Sequence, residues 1–112
     1  MSGDGIRRSL PQLTQEIVRR ILSIARPDRI ILFGSAAAGQ MTRDSDVDIL
    51  VVERSPSDTR EERNRIAESL GDLQFPIDVF VIATERFEES KNIFGGLAYP
   101  AHKYGRVIYG AA

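Results

Sequence analysis

The sequence predicts an α/β (α+β) protein with a small mixed β-sheet of about three to four strands flanked by helices. Apolar runs of strand length occur at Ile30–Phe33, after Asp46, and at Phe75–Ile82. Apolar residues at helical spacing, Leu13, Ile17, Ile21 and Ile24, precede the first run, and a sparser set, Ile66, Ala67 and Leu70, separates the second from the third. At 112 residues the chain is long enough for one core but not two. Residues 1–10, polar and containing Gly3 and Gly5, are expected to form a flexible leader, and residues 11–112 the domain.

Each element has a local reason. Pro11 suits the first turn of a helix, Val18, Leu22 and Ala25 widen its apolar face, Gln15, Glu16, Arg19 and Arg20 fill the other face, and Pro27 ends it. Strand one is expected over Arg29–Phe33, a short helix over Ser35 to about Gly39, a polar loop over Gln40–Ser45, and strand two over Asp46–Glu53. Asp58 can cap a helix running to about Leu70, whose narrow apolar stripe predicts a surface position. Gly71-Asp72 turns the chain into strand three, Phe75–Ile82, read as buried on both faces. Thr84 is placed to cap a last helical region reaching Lys103, broken near Gly95-Gly96 and again near Tyr99-Pro100, and Val107–Tyr109 reads as a short terminal strand.

Fifteen basic and sixteen acidic residues nearly cancel, which argues against direct nucleic-acid binding, since that normally begins with a basic footprint. With no cysteine, disulfides and thiolate metal sites are excluded. No apolar run approaches the roughly 18 residues of a membrane span, and no signal-peptide segment opens the chain. A soluble cytoplasmic protein is the expectation.

The chemistry concentrates between Ile30 and Val52. Strand one ends in Gly34-Ser35, where a small-residue turn can bring backbone N–H groups and a hydroxyl close to a phosphate. Strand two opens on Asp46 and Asp48, which alternate past Val47 and so project from one face, roughly 7 Å apart along the chain. Two adjacent carboxylates call for a hard divalent cation such as Mg²⁺, which keeps coordination sites for substrate phosphates. Asp78, interrupting strand three, is costly to bury unless paired or metal-bound, which makes it the candidate third carboxylate; the alternative is an edge-strand residue facing water. Asp44 shares the period-two phase of Asp46 and Asp48 but is read as a loop residue ordering the approach to them. His102 is read as a surface residue, and Tyr99, Tyr104 and Tyr109 as packing residues with a polar tip.

Gly34-Ser35, ten residues, then Asp46-Val47-Asp48 resembles the signature of the DNA-polymerase-beta-type nucleotidyltransferases. The short chain and its tail, Ala98-Tyr99-Pro100-Ala101 and Gly105-Arg106-Val107-Ile108-Tyr109, resemble their minimal branch, the MNT proteins. The resemblance implies a two-metal site. Asp46 and Asp48 would share both Mg²⁺ ions, Asp78 would complete the site of the ion activating the acceptor, and Gly34 and Ser35 would hold the beta and gamma phosphates of ATP. It also implies a partner, because MNT proteins are typically antitoxins of HEPN-domain RNase toxins and can transfer AMP from ATP to a tyrosine of that toxin. In one respect the chain departs from the family. Arginines commonly follow Gly-Ser, whereas here Ala36, Ala37 and Ala38 precede Gly39. Arg43 or a basic group from another chain is the expected substitute, since phosphate charge must be balanced.

The elements above use the whole chain in building a nucleotide-binding core, so the acceptor surface is expected from another polypeptide; the broad apolar helix face and the Ile93, Phe94 and Leu97 cluster are each read as either partner-facing surface or core. The leading expectation is an antitoxin of a type VII-like pair that modifies a HEPN toxin and assembles with it. A second reading is neutralisation of the toxin by binding alone, and a third is transfer to a small molecule.

Overall fold

The computed structural model describes residues 10–34, 47–73 and 75–110. In chain order the elements are α1 (Leu10–Ile24), β1 (Arg29–Phe33), β2 (Val47–Glu53), α2 (Thr59–Ser69), β3 (Ile77–Ala83), α3 (Thr84–Ser90), α4 (Ala98–Tyr104) and β4 (Arg106–Gly110). The four strands form one mixed sheet in the order β3-β2-β1-β4. β1 pairs antiparallel with both β2 and β4, whereas β2 and β3 are parallel and joined by the α2 crossover.

Alternation along the strands sends side chains to two separate layers. On one face Ile30, Leu32, Val47, Ile49, Val51 and Val79 pack with Leu13, Ile17 and Ile21 of α1 and with Ile66 and Leu70 at α2. On the other, Ile31, Phe33, Leu50 and Val52 pack with Phe87 of α3 and Ala98 and Ala101 of α4. The buried α1 residues recur every four positions, so the helix is held by one stripe rather than by intrinsic propensity. Arg20 ties α1 to the end of α2. It donates to Glu16 Oε2 (2.8 Å) and to the Ser69 carbonyl (3.1 Å), and it pairs with Asp72.

α2 begins where the sequence indicates. Asp58 is extended, and its Oδ1 accepts from the backbone N–H groups of Arg60 (3.0 Å) and Glu61 (3.1 Å). Asp58→Ala is expected to cost about 1 kcal/mol, read as a lower urea midpoint with an unchanged slope.

Three expectations need correction. Strand three is not buried on both faces but is an edge strand, with only Val79 fully buried, because β1 takes the inner place between β2 and β4. Thr84 is not a helix cap. Ala83 occupies that position without a side-chain bond, and the Thr84 hydroxyl donates instead to Asp28 Oδ2 (2.6 Å). Tyr99-Pro100 does not break a helix, since Pro100 lies in the first turn of α4, where its missing N–H costs nothing. The break falls earlier, over residues 91–97, and includes Gly95 and Gly96, both at positive φ. β4 extends one residue beyond the expected strand at each end.

Gly105 makes the α4–β4 corner possible. A Cβ there would lie 2.7 Å from Ile31 Cγ2 and 3.0 Å from the Leu32 carbonyl, and would overlap the Ala101 carbonyl. Only a residue without a side chain lets α4 close this tightly onto β1.

Candidate functional site

The β1–β2 and β2–β3 ladders bring three of the predicted features together. Phe33 is opposite Asp48 across the antiparallel pair, and Asp48 is opposite Asp78 across the parallel one. Residues opposite each other share a face, so the two carboxylates project side by side from neighbouring strands that run about 4.8 Å apart. They emerge on the face of Phe33, Leu50 and Phe80, opposite to the α1 layer. Asp48 is half-buried and Asp78 is exposed, as its edge strand dictates. Asp78 is therefore not a buried charge in need of rescue. It is a solvated carboxylate on an edge strand, held beside a second one, so the cost of burying a charge does not apply to it.

Gly34 follows β1 at φ +78°, a backbone conformation that favours glycine. A Cβ at this position would overlap Asp48 Oδ2 and lie 3.3 Å from its Cγ. The turn thus closes directly over the Asp48 carboxylate, a contact that the reading of Gly34 as a phosphate grip did not anticipate. A glycine directly after Phe33, the strand residue that pairs with Asp48, was the available signal. Ser35, Asp46, Asp44, Arg43 and the expected helix from Ser35 to about Gly39 lie outside the described residues.

The apolar side of the site is a ring pair. Phe33 and Phe80 stand 5.9 Å apart between centroids, tilted by 50°, next to Asp48 and two residues on from Asp78.

Does the donor set fit a divalent cation? Two oxygen-only side chains of adjacent strands, presented on one face beside a small-residue turn, suit Mg²⁺ and exclude the soft-ligand metals. Among the described residues no three His, Cys, Asp or Glu side chains converge as ligands, Asp46 being outside them. The two described carboxylates therefore fit as part of a site that a further acid would complete.

Other residues considered from sequence lie away from this constellation. His102 is exposed, its ring 6.2 Å from that of Phe87 in an edge-to-face contact. Tyr99 accepts a hydrogen bond from Lys103 Nζ at 3.2 Å, and Tyr104 is 68 % exposed rather than packed. Ile93 and Phe94 are strongly exposed at 61 % and 86 %. A shallow cavity of about 260 Å³ lined by Thr14, Gln15, Val18, Arg19 and Ile108 belongs to the α1 side of the sheet. Among the described residues no helix is long and apolar enough to cross a membrane.

Comparison with known proteins agrees with this geometry. Residues 14–100 match the model of the nucleotidyltransferase domain. No curated protein matches. Among solved structures, a chain of a toxin–antitoxin complex with AMP-PNP shares 22 % identity at a TM-score of 0.61, covering 88 % of this chain and 73 % of that one. A chain from a mutant of the MntA-HpeT toxin–antitoxin complex shares 20 % identity at a TM-score of 0.63, with the same coverages. A nucleotidyltransferase so described from Sulfolobus solfataricus, at 18 % identity and a TM-score of 0.54, covers 90 % of this chain and 87 % of its own. These similarities establish a common fold, and the domain match spans most of the chain. Because that match spans residues 14–100, this chain belongs to the nucleotidyltransferase domain family.

Proposed function

We propose that the protein is the antitoxin of a HEPN–MNT pair and transfers AMP from ATP to a tyrosine of its toxin, with two Mg²⁺ ions. The observation that carries the reading is the Asp48–Asp78 pair on one face beside Gly34. The likeness in fold to toxin–antitoxin chains, one of them in a complex with AMP-PNP, supports both the nucleotide and the partner.

In this reading the Gly34-Ser35 turn holds the beta and gamma phosphates and so aims the alpha phosphorus at the carboxylate face. Asp46, Asp48 and Asp78 would hold Mg²⁺, which supplies charge neutralisation for the triphosphate and lowers the acidity threshold of the acceptor hydroxyl. Asp78, exposed on its edge strand, would take the phenolic proton. The tyrosine oxygen bonds to the alpha phosphorus, the bond from that phosphorus to the bridging oxygen breaks, and pyrophosphate leaves. The toxin supplies the acceptor.

The test is the intact mass of the HEPN partner after incubation with this protein, ATP and Mg²⁺. One or more added AMP units are expected. The Asp46→Asn/Asp48→Asn variant is expected to lower the rate by roughly a hundredfold or more, since even partners that only orient metal ligands are worth 10–100-fold. No added mass, with a stable complex still formed, would favour neutralisation by binding alone. Ala36 and Ala38, which replace two family arginines, are the specific observation behind that second reading.

A further inference from the structure

Glu53 closes β2 on the α1/α2 face, in phase with Val47, Ile49 and Val51, and is only 8 % exposed. Its Oε2 is buried and has no hydrogen-bond donor. The neighbouring group on α2 is a second acid, Glu62, in the first turn of that helix. One cation serves both. Arg65 Nη2 donates to Glu62 Oε1 (2.9 Å) and to the Ile24 carbonyl at the end of α1 (2.9 Å). Among the described residues, the other elements meeting here bring no second positive charge to Glu53. β3 places Ala83 opposite it. Asp28, before β1, is engaged by the Thr84 hydroxyl and by Arg54, which is itself 84 % exposed.

Two carboxyls against one shared guanidinium leave an uncompensated buried negative charge unless one acid keeps its proton. A proton on Glu53 removes that charge and turns the orphaned oxygen into a donor toward Glu62. We propose that Glu53 and Glu62 share one proton and act as a pH-sensitive latch that holds the first turns of α2 onto the end of β2. Raising the pH sends that proton to solvent, the two carboxylates repel, and α2 lifts from the strand.

The electrostatics agree with the geometry. Burial, reinforced by Glu62, pushes the Glu53 carboxyl up to about 7. Glu62 is held below the ordinary range by hydrogen bonds from Glu53 and Arg65, although burial opposes this. Because the folded-state value of Glu53 is raised, its contribution to stability is complete below the ordinary carboxyl value. That contribution is lost as the pH climbs through about 7. Ile66 is the only buried residue within α2, so little else holds the first turns down. The inference does not require the function proposed above.

Carbon-13 NMR of the Glu carboxyls and amide hydrogen exchange, both on the full chain, test it. Glu53 is expected to titrate near neutrality. Exchange in α2, corrected for the intrinsic pH dependence, is expected to quicken about tenfold between pH 6 and 8, the equivalent of one pKa unit. Glu53→Gln, neutral at both pH values, is expected to remove that step. A Glu53 carboxyl titrating in the ordinary range would overturn the proposal, and this readout needs only the unsubstituted protein. So would a step that persists undiminished in Glu53→Gln.

Discussion

Gly34→Ala is expected to silence nucleotidyl transfer while leaving the sheet folded. The added methyl meets two obstacles. At φ +78° an alanine costs about 1–2 kcal/mol of backbone strain. Its Cβ also overlaps Asp48 Oδ2, so the carboxylate has to move. A displacement of about 1 Å at a reacting centre can cost roughly a hundredfold in rate, so kcat is expected to fall at least that far. The stability loss, read from urea unfolding, should stay near 1–2 kcal/mol. A double-mutant cycle isolates the cause. Asp48→Ala in the Gly34→Ala background relieves the overlap, so the combined stability loss should be smaller than the sum, while activity stays absent. Full activity in Gly34→Ala would mean that Asp48 is not held by this turn during the reaction.

The contact between Gly34 and Asp48 also marks where sequence reasoning stops. Spacing alone located the turn, both strands and the acid, because strand alternation fixes which residues share a face. β1 falls on Arg29–Phe33 as expected, and Asp58 caps α2. Neighbour relations between strands were not legible. The Phe75–Ile82 run is apolar enough to read as buried on both faces, yet its outer edge is open because β4, from the far end of the chain, closes against β1 on the other side. The exposure of Asp78 follows from that order and from nothing local. Glu53 was passed over for a similar reason. As the last residue of an apolar strand it looks like the start of a polar loop, and only the α2 crossover, nine residues further on, brings Glu62 against it. The conformation of Gly34 was equally open, since a glycine tolerates many and only its contact with Asp48 on the opposing strand shows which is used.

α2 shows the same limit from the side of stability, and Ile66→Ala is expected to be among the most damaging single truncations in the chain. From sequence the helix has a narrow apolar stripe and reads as a surface element. In the structure Ile66 is fully buried, packed with the α1 residues and the inner faces of β2 and β3. A narrow stripe therefore does not mean weak docking. It means that docking depends on few residues, here Ile66 within the helix and Leu70 just after it. Removing three methyl or methylene groups at such a site costs about 3 kcal/mol, a large part of the roughly 5–15 kcal/mol that holds a domain together. The melting temperature should fall by roughly 15 °C. Ala67→Ser, one residue along and only partly buried, should cost under about 1 kcal/mol and serves as the comparison. A loss below about 1 kcal/mol for Ile66→Ala itself would show that α2 is not anchored there. Because α2 is the crossover that sets β3 against β2, its loosening should also separate Asp78 from Asp48, so activity should fall at temperatures where most of the protein is still folded.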